Sequence, residues 1–169
     1  MTVSRCFCAL TFLAAGACTG TGPKPLPEDD LEGKPWEVQR TSLPPYPKDG
    51  SLLSVYVSST RPFAFFIDPG SVSVRQDGIV RYTLVARSPS GAVNVSYEGI
   101  RCKTYQTRTY AFGRSDGTWV QARSQQWTSY SQYQTDQHLV LADDFFCTAN
   151  GVKTAEEVVQ AIARGNRSR

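Results

Sequence analysis

His138 and Glu98 are the residues of this chain whose chemistry raises a catalytic question. His138 is the only histidine, so any imidazole-dependent reaction must pass through it. Asp136, Asp143 and Asp144 lie close in sequence and serines are plentiful, so a Ser-His-Asp arrangement exists on paper. No G-x-S-x-G nucleophile string accompanies it, and the expectation is a surface or helix-start histidine. Glu98 with Asp68, Asp77 or Asp116 would form a carboxylate pair of the glycosidase kind. Those three aspartates stand in D-P-G, Q-D-G and S-D-G strings, where an Asp side chain serves the turn backbone. Glu98 instead interrupts a strand-like run, and its simplest partner is an arginine of a neighbouring strand, Arg81 or Arg108. No catalytic residue is assigned on this basis. A single histidine and the absence of any Cys-x-x-Cys spacing argue against a metal site, and no cofactor is expected.

The five cysteines separate by position. Cys6 and Cys8 belong to an apolar N-terminal run, CFCALTFLAAGA, which follows Arg5 and precedes Cys18. Its twelve residues fit the core of a secretion signal and fall short of the roughly 20 that a membrane-spanning helix needs. Cys102 and Cys147 then pair as a structural disulfide in an oxidising compartment. Cys18 would be left as an odd thiol unless lipid consumes it. LAAGAC, Leu13 to Cys18, resembles a bacterial lipobox with Cys18 as the lipidated first mature residue. Thr19 after it matches the outer-membrane sorting pattern. The expectation is an outer-membrane lipoprotein facing the periplasm, with cleavage after Ala15-Gly16-Ala17 to a soluble periplasmic form as the alternative.

The elements that would position these residues are legible as pattern. Residues 1–17 read as signal peptide. Residues 18–50 read as the lipidated cysteine and a tether, with seven prolines between 19 and 50 that favour extended chain. Within it LPPYP, Leu43 to Pro47, is either a polyproline ligand for an aromatic groove or a stiff spacer, and the spacer is the expectation. Trp36 suggests that the tether docks back onto the domain. Residues 51–165 form a single domain, and 166–169 a frayed tail.

From Leu52 to about Gln121 the chain is rich in Val, Tyr, Phe, Ile and Thr. Its strand-like runs are separated by turn strings at 68–70, 76–78, 88–91 and 115–117. Connections this short join antiparallel neighbours. Val80, Tyr82, Leu84 and Ala86 alternate with Arg81, Thr83 and Arg87, and Val93, Val95 and Tyr97 with Asn94, Ser96 and Glu98. This alternation predicts one packed and one wetter face, with Glu98 on the wetter one. TAEEVVQAIARG predicts a helix opened by a Thr154/Glu157 capping box and closed at Gly165. The fold class is α+β: an antiparallel meander of about six strands, a C-terminal helix and the 124–147 segment packed on one face, and one disulfide.

The formal charge of +3 on 169 residues is too small to argue for nucleic acid. Its distribution is more pointed, with nine basic residues against four acidic ones between 61 and 123. Arg81, Arg87, Glu98, Arg101 and Tyr105 mark a candidate binding face for an envelope protein, a glycan or an anionic lipid.

SVSVRQDGIVRYTLVARSPSGAVNVSYEGIRC, then YAFGRSDGTW, Trp127 and FFC ending at Cys147 resemble the cryptic-neisserial-protein-like family of proteobacterial envelope proteins. That resemblance spans about residues 36–147. It implies a periplasm-facing secreted or lipid-anchored domain and brings no catalytic residues. The combined expectation is a membrane-anchored, non-catalytic binding or envelope-assembly domain. The alternative is an envelope hydrolase using His138 or a carboxylate pair.

Overall fold

A computed structural model describes residues 43–57, 62–130 and 137–165. The signal run, Cys18, Trp36, Asp136 and the tail from 166 lie outside the described residues. Strands β1 (Leu53–Val55), β2 (Ala64–Val74), β3 (Ile79–Arg87), β4 (Val93–Arg101), β5 (Gln106–Gly113) and β6 (Trp119–Gln121) pair antiparallel in sequence order. The short β7 (Thr128–Ser129) adds to β5. Helix α1 (Gln137–Val140) runs into a π-helical segment, Leu141–Phe146. A small hairpin follows, β8 (Cys147–Thr148) with β9 (Gly151–Val152), and then helix α2 (Ala155–Gly165). This is the expected α+β meander with its C-terminal helix and its Cys102–Cys147 disulfide.

Local chemistry explains the turns. In the β2–β3 hairpin Gly78 takes a φ of 69°, which glycine adopts without steric cost. Asp77 accepts the Ile79 N–H there at 3.1 Å. The D-P-G string at 68–70 behaves differently from expectation. It does not separate two strands but forms a bulge inside one, since Asp68 pairs with Thr83 and the next pairing is Ser73 with Arg81. The bulge pulls the β2 backbone out of ladder register there, and Pro69 cannot donate. The Ser71 hydroxyl substitutes, accepting the Thr83 N–H at 2.7 Å and donating to the Asp68 carbonyl at 2.7 Å.

α2 opens as predicted. Thr154 Oγ1 accepts the Glu157 N–H at 3.3 Å while Glu157 accepts the Thr154 N–H at 2.8 Å, and Val158 and Ile162 face inward. They join Val80, Tyr82, Leu84, Ile100, Leu141, Ala142, Phe145 and Phe146 in the main core. In the π-helical segment Leu141, Ala142, Phe145 and Phe146 are buried while Asp143 and Asp144 point to solvent.

The second face of the sheet is not wet. Arg81 and Thr83 on that face are 2% and 0% exposed. Tyr97, Tyr110 and Ala111 form a second cluster there with Leu43 and Trp119. The last part of the Pro-rich stretch lies across it as a strap. Trp119 donates its indole N–H to the Pro44 carbonyl at 2.9 Å, and Tyr46 donates its hydroxyl to the Arg114 carbonyl at 2.8 Å. Asp49 then reaches Arg87 at 2.8 Å. The strap thus travels from the β6 edge toward the β1 edge, and LPPYP finds its aromatic partner in its own chain. The 124–147 segment divides between the faces: Trp127 meets Tyr110 on the second face, whereas the residues from Leu141 onward pack in the main core.

The disulfide closes a span of 45 residues, a constraint worth about 4 kcal/mol on the loop-entropy account. Cys102→Ser is expected to lower unfolding free energy by roughly that amount in denaturant titrations. Equal midpoints for the oxidised wild type and the variant would refute the staple.

Candidate functional site

Strand pairing sets Glu98 directly opposite Tyr82 on β3, which puts it on the main-core face with Ile100. The strands deviate on both sides of this pair. The β2 bulge falls beside Tyr82, and β5 carries an extra residue, Tyr110, between the partners of Tyr97 and Glu98. Bulges at such places re-aim side chains. Glu98 is 6% exposed, and three side chains satisfy its carboxylate. Ser96 donates to Oε1 at 2.6 Å, and Tyr82 donates to Oε2 at 2.9 Å. His138 Nε2 lies 2.9 Å from the same Oε2. Burial by itself would raise the Glu98 pKa. The hydrogen bond and charge of His138, then Ser96 and Tyr82, outweigh burial and hold it below its ordinary value. The carboxylate is therefore ionised near neutrality, and His138 must be the donor.

The two residues singled out from sequence thus meet, but neither has the expected surroundings. Glu98 pairs with His138 rather than with Arg81 or Arg108, because the register turns it toward the helical cover. Asp143 and Asp144 point to solvent and do not orient His138. Asp68 lies on the opposite face, where Gly70 N–H bonds its carboxylate at 3.2 Å. Asp77 binds Arg81 Nη2 at 2.6 Å, and Asp116 accepts the Thr118 N–H at 2.9 Å in its own turn. No second carboxylate joins Glu98 among these. Among the described residues no group of three or more His, Cys, Asp or Glu could hold a metal ion. Nor is any described helix long and apolar enough to cross a membrane. A carboxylate bound to Nε2 can orient an imidazole for base chemistry at Nδ1. Ser96, however, gives its proton to Glu98.

The remaining marked residues gather elsewhere. Arg101 stacks over the Trp127 ring at 4.0 Å, and Arg108 approaches the same ring at 5.7 Å and Tyr110 at 5.2 Å. Arg81 approaches Tyr110 at 5.8 Å. These alternating guanidinium and aromatic groups line the second face, and Asp77 closes the row at Arg81. Burial alone would raise the Asp77 pKa, but the Arg81 bond, the Ile79 amide and the charges of Arg81 and Arg75 hold it low. Arg87 lies toward the strap end, 4.8 Å from the Phe66 ring.

At the other end the β4–β5 turn carries exposed Lys103 and Tyr105. Tyr105 is 62% exposed with a φ of 54°, a left-handed conformation that is costly for a bulky residue. Its carbonyl accepts the Tyr130 N–H at 3.1 Å, and its ring meets Tyr130 edge-on at 6.1 Å. The five marked residues therefore do not share one face. Arg81, Arg87 and Arg101 line the second face, Tyr105 tips the turn, and Glu98 is under the helices.

A family model described as the CNP1-like family matches residues 31–163. The chain belongs to the CNP1-like family. No curated protein and no solved structure matches it. The matched stretch of this CNP1-like chain includes the strap, both bulges, the Glu98–His138 pair, the disulfide and most of α2. Trp127 and Gln125, whose side-chain carbonyl accepts a bond from Arg108 Nη2 at 3.1 Å, complete the arginine row but gave no periodic signal in the sequence. They lie in a polar run without periodicity, and only the return of that run against β5 reveals them.

Removing His138 leaves a buried carboxylate without its charge partner. His138→Ala is therefore expected to cost about 3–5 kcal/mol and to speed amide exchange over 137–146. Because the native Glu98 pKa lies below its ordinary 4.5, the carboxylate stabilises the fold fully above that pH. The contribution fades as pH falls through the depressed native value. Glu98→Gln should accordingly flatten the acid limb of a stability profile measured between about pH 5 and 2, and an unchanged acid limb would rule out this linkage.

Proposed function

We propose that this CNP1-like chain is a lipid-anchored outer-membrane protein, facing the periplasm, that binds an anionic envelope component without catalysing a reaction. The observation that carries the reading is the β4–β5 tip. There a strained, exposed Tyr105 stands beside Lys103 and the Arg101–Trp127 stack. Strain held at an exposed tyrosine costs stability that local packing must offset, and such outliers concentrate where a surface is shaped for a ligand. The disulfide at Cys102 immobilises the same turn, which reduces the ordering cost of binding. No described carboxylate is within ion-pair distance of Arg101 or Lys103, so their charge is available to an anionic group on a glycan or lipid head. The tip also lies at the opposite end of β5 from Gly113 and the strap, about 23 Å away by strand rise.

The rival reading, an envelope hydrolase, draws on one observation, the 2.9 Å contact of Glu98 with His138. Against it stands a carboxylate already holding three donors under the helical cover. Incubating envelope fractions with the wild type and with Glu98→Gln separates the two. Release of soluble glycan or peptide fragments by the wild type alone would install the hydrolase.

Two outcomes are expected for the binding reading. Cys18→Ala should move the protein from the membrane fraction to the soluble one, and continued pelleting would point to a different anchor. That soluble full-length variant should co-sediment with phosphatidylglycerol vesicles but not with phosphatidylcholine vesicles. Arg101→Ala and Lys103→Ala should each weaken the association about fivefold. Equal binding by all three proteins would remove the tip from the interaction.

A further inference from the structure

The strap and its groove form a recognition unit of their own. The groove is built from Tyr97, Trp119 and the gap left at Gly113, with the Arg114 carbonyl at its rim. A Cβ at Gly113 would stand 2.8 Å from the Tyr46 ring and 2.8 Å from Val95 Cβ; glycine at this position is what lets Tyr46 enter. The Tyr46 and Trp119 rings sit 5.4 Å apart, and Trp119 meets Tyr97 at 6.3 Å. The indole N–H donates to a proline carbonyl at 2.9 Å and the tyrosine hydroxyl bonds main chain at 2.8 Å. An aromatic floor, an indole donor and a peptide of prolines flanking one tyrosine are the parts of polyproline recognition. Here they are joined within one chain.

None of these contacts depends on the strap and groove sharing a backbone. The link between them, Lys48 to Leu52, is a single short 3-10 turn whose residues from Lys48 to Ser51 are exposed. Gly50 has nothing within 4 Å of where a Cβ would be. The link then enters β1, which has only three residues. Apart from the exposed Asp49–Arg87 ion pair, the strap's contacts lie outside the link, and such a segment can seat on another copy with little loss of bonding. We propose that the Tyr97–Gly113–Trp119 groove is a proline-rich peptide site, and that residues 43–47 of a second copy of this chain occupy it by exchange of straps. In one copy the joined strap competes at an effective concentration of order millimolar, so exchange requires copies held close together.

The test uses two full-length variants in detergent, each defective in one half of the contact. Tyr46→Ala removes the strap's ring from the gap at Gly113, and Trp119→Ala removes the groove's floor. Each alone should be monomeric by native mass spectrometry and sedimentation. Mixed together, they should form a one-to-one heterodimer, because one copy supplies an intact strap and the other an intact groove. A synthetic peptide of residues 41–48 should bind folded Tyr46→Ala saturably, and its Pro→Ala version at 44, 45 and 47 at least tenfold more weakly.

The peptide measurement needs only the Tyr46→Ala variant and so survives a failure of Trp119→Ala to fold. No saturable binding of the peptide to folded Tyr46→Ala would overturn the site. Peptide binding without a heterodimer from two folded variants would overturn the exchange. Displacement of the peptide by phosphatidylglycerol vesicles, with no heterodimer, would reassign the groove to the membrane surface.

Discussion

Strand β4 holds the helical cover at two points, and the packing of the main core depends on both. Glu98 takes His138, and Cys102, just past the strand end, takes Cys147. On β4 the two positions are four residues apart, about 13 Å at strand rise. On the cover they are nine residues apart, also about 13 Å at α-helical rise and somewhat less across the π-helical stretch. The matching spans let one segment be fixed at both ends without distortion. Between the two points Leu141, Ala142, Phe145 and Phe146 enter the core, and Phe146 meets Tyr82 edge-on at 4.9 Å.

The polar clamp carries a desolvation cost that the covalent one does not. A carboxylate taken out of water requires donors on both oxygens, and Ser96, Tyr82 and His138 supply them. The bulges on β2 and β5 bracket this row of the sheet, where the strands yield to a polar cluster inside an apolar layer. The same demand commits the Ser96 and Tyr82 hydroxyls and His138 Nε2 to the Glu98 carboxylate.

The second face solves a different problem with different material. Its arginines are partnered by aromatic rings and by polar groups, Asp77 at Arg81, Asp49 at Arg87 and Gln125 at Arg108. Tyr110 lies against Arg81 and Arg108, and Trp127 against Arg108 and Arg101. Guanidinium groups tolerate such burial because they are weakly hydrated and planar. The strap closes the other end of this face. At the β4–β5 tip the disulfide and the Tyr130 N–H bond to the Tyr105 carbonyl hold the turn against the strain at Tyr105.

Much of the architecture was legible from local pattern. The meander followed from short turns, α2 from its capping box and apolar stripe, and the disulfide from counting cysteines outside the N-terminal run. These signals act over a few residues or by elimination, so the linear chain carries them. The D-P-G string misled because the same residues serve a turn or a bulge, and only pairing with Thr83 and Arg81 separates the two. Glu98 misled for a related reason. β4 is buried on both faces, so alternation marks two faces without saying which one the helices cover.

The sequence by itself thus determined the class of fold, the order of its strands, the helix ends and the covalent staple, because each is a matter of near neighbours or of residue type. Only the tertiary structure decided that Glu98 faces His138, that Arg81 is buried among rings, and that the Pro-rich stretch is seated on Trp119. Those facts depend on register and on which of two apolar faces meets which cover. Register is a property of strands brought together, and a one-residue change in it would exchange the two faces of β4.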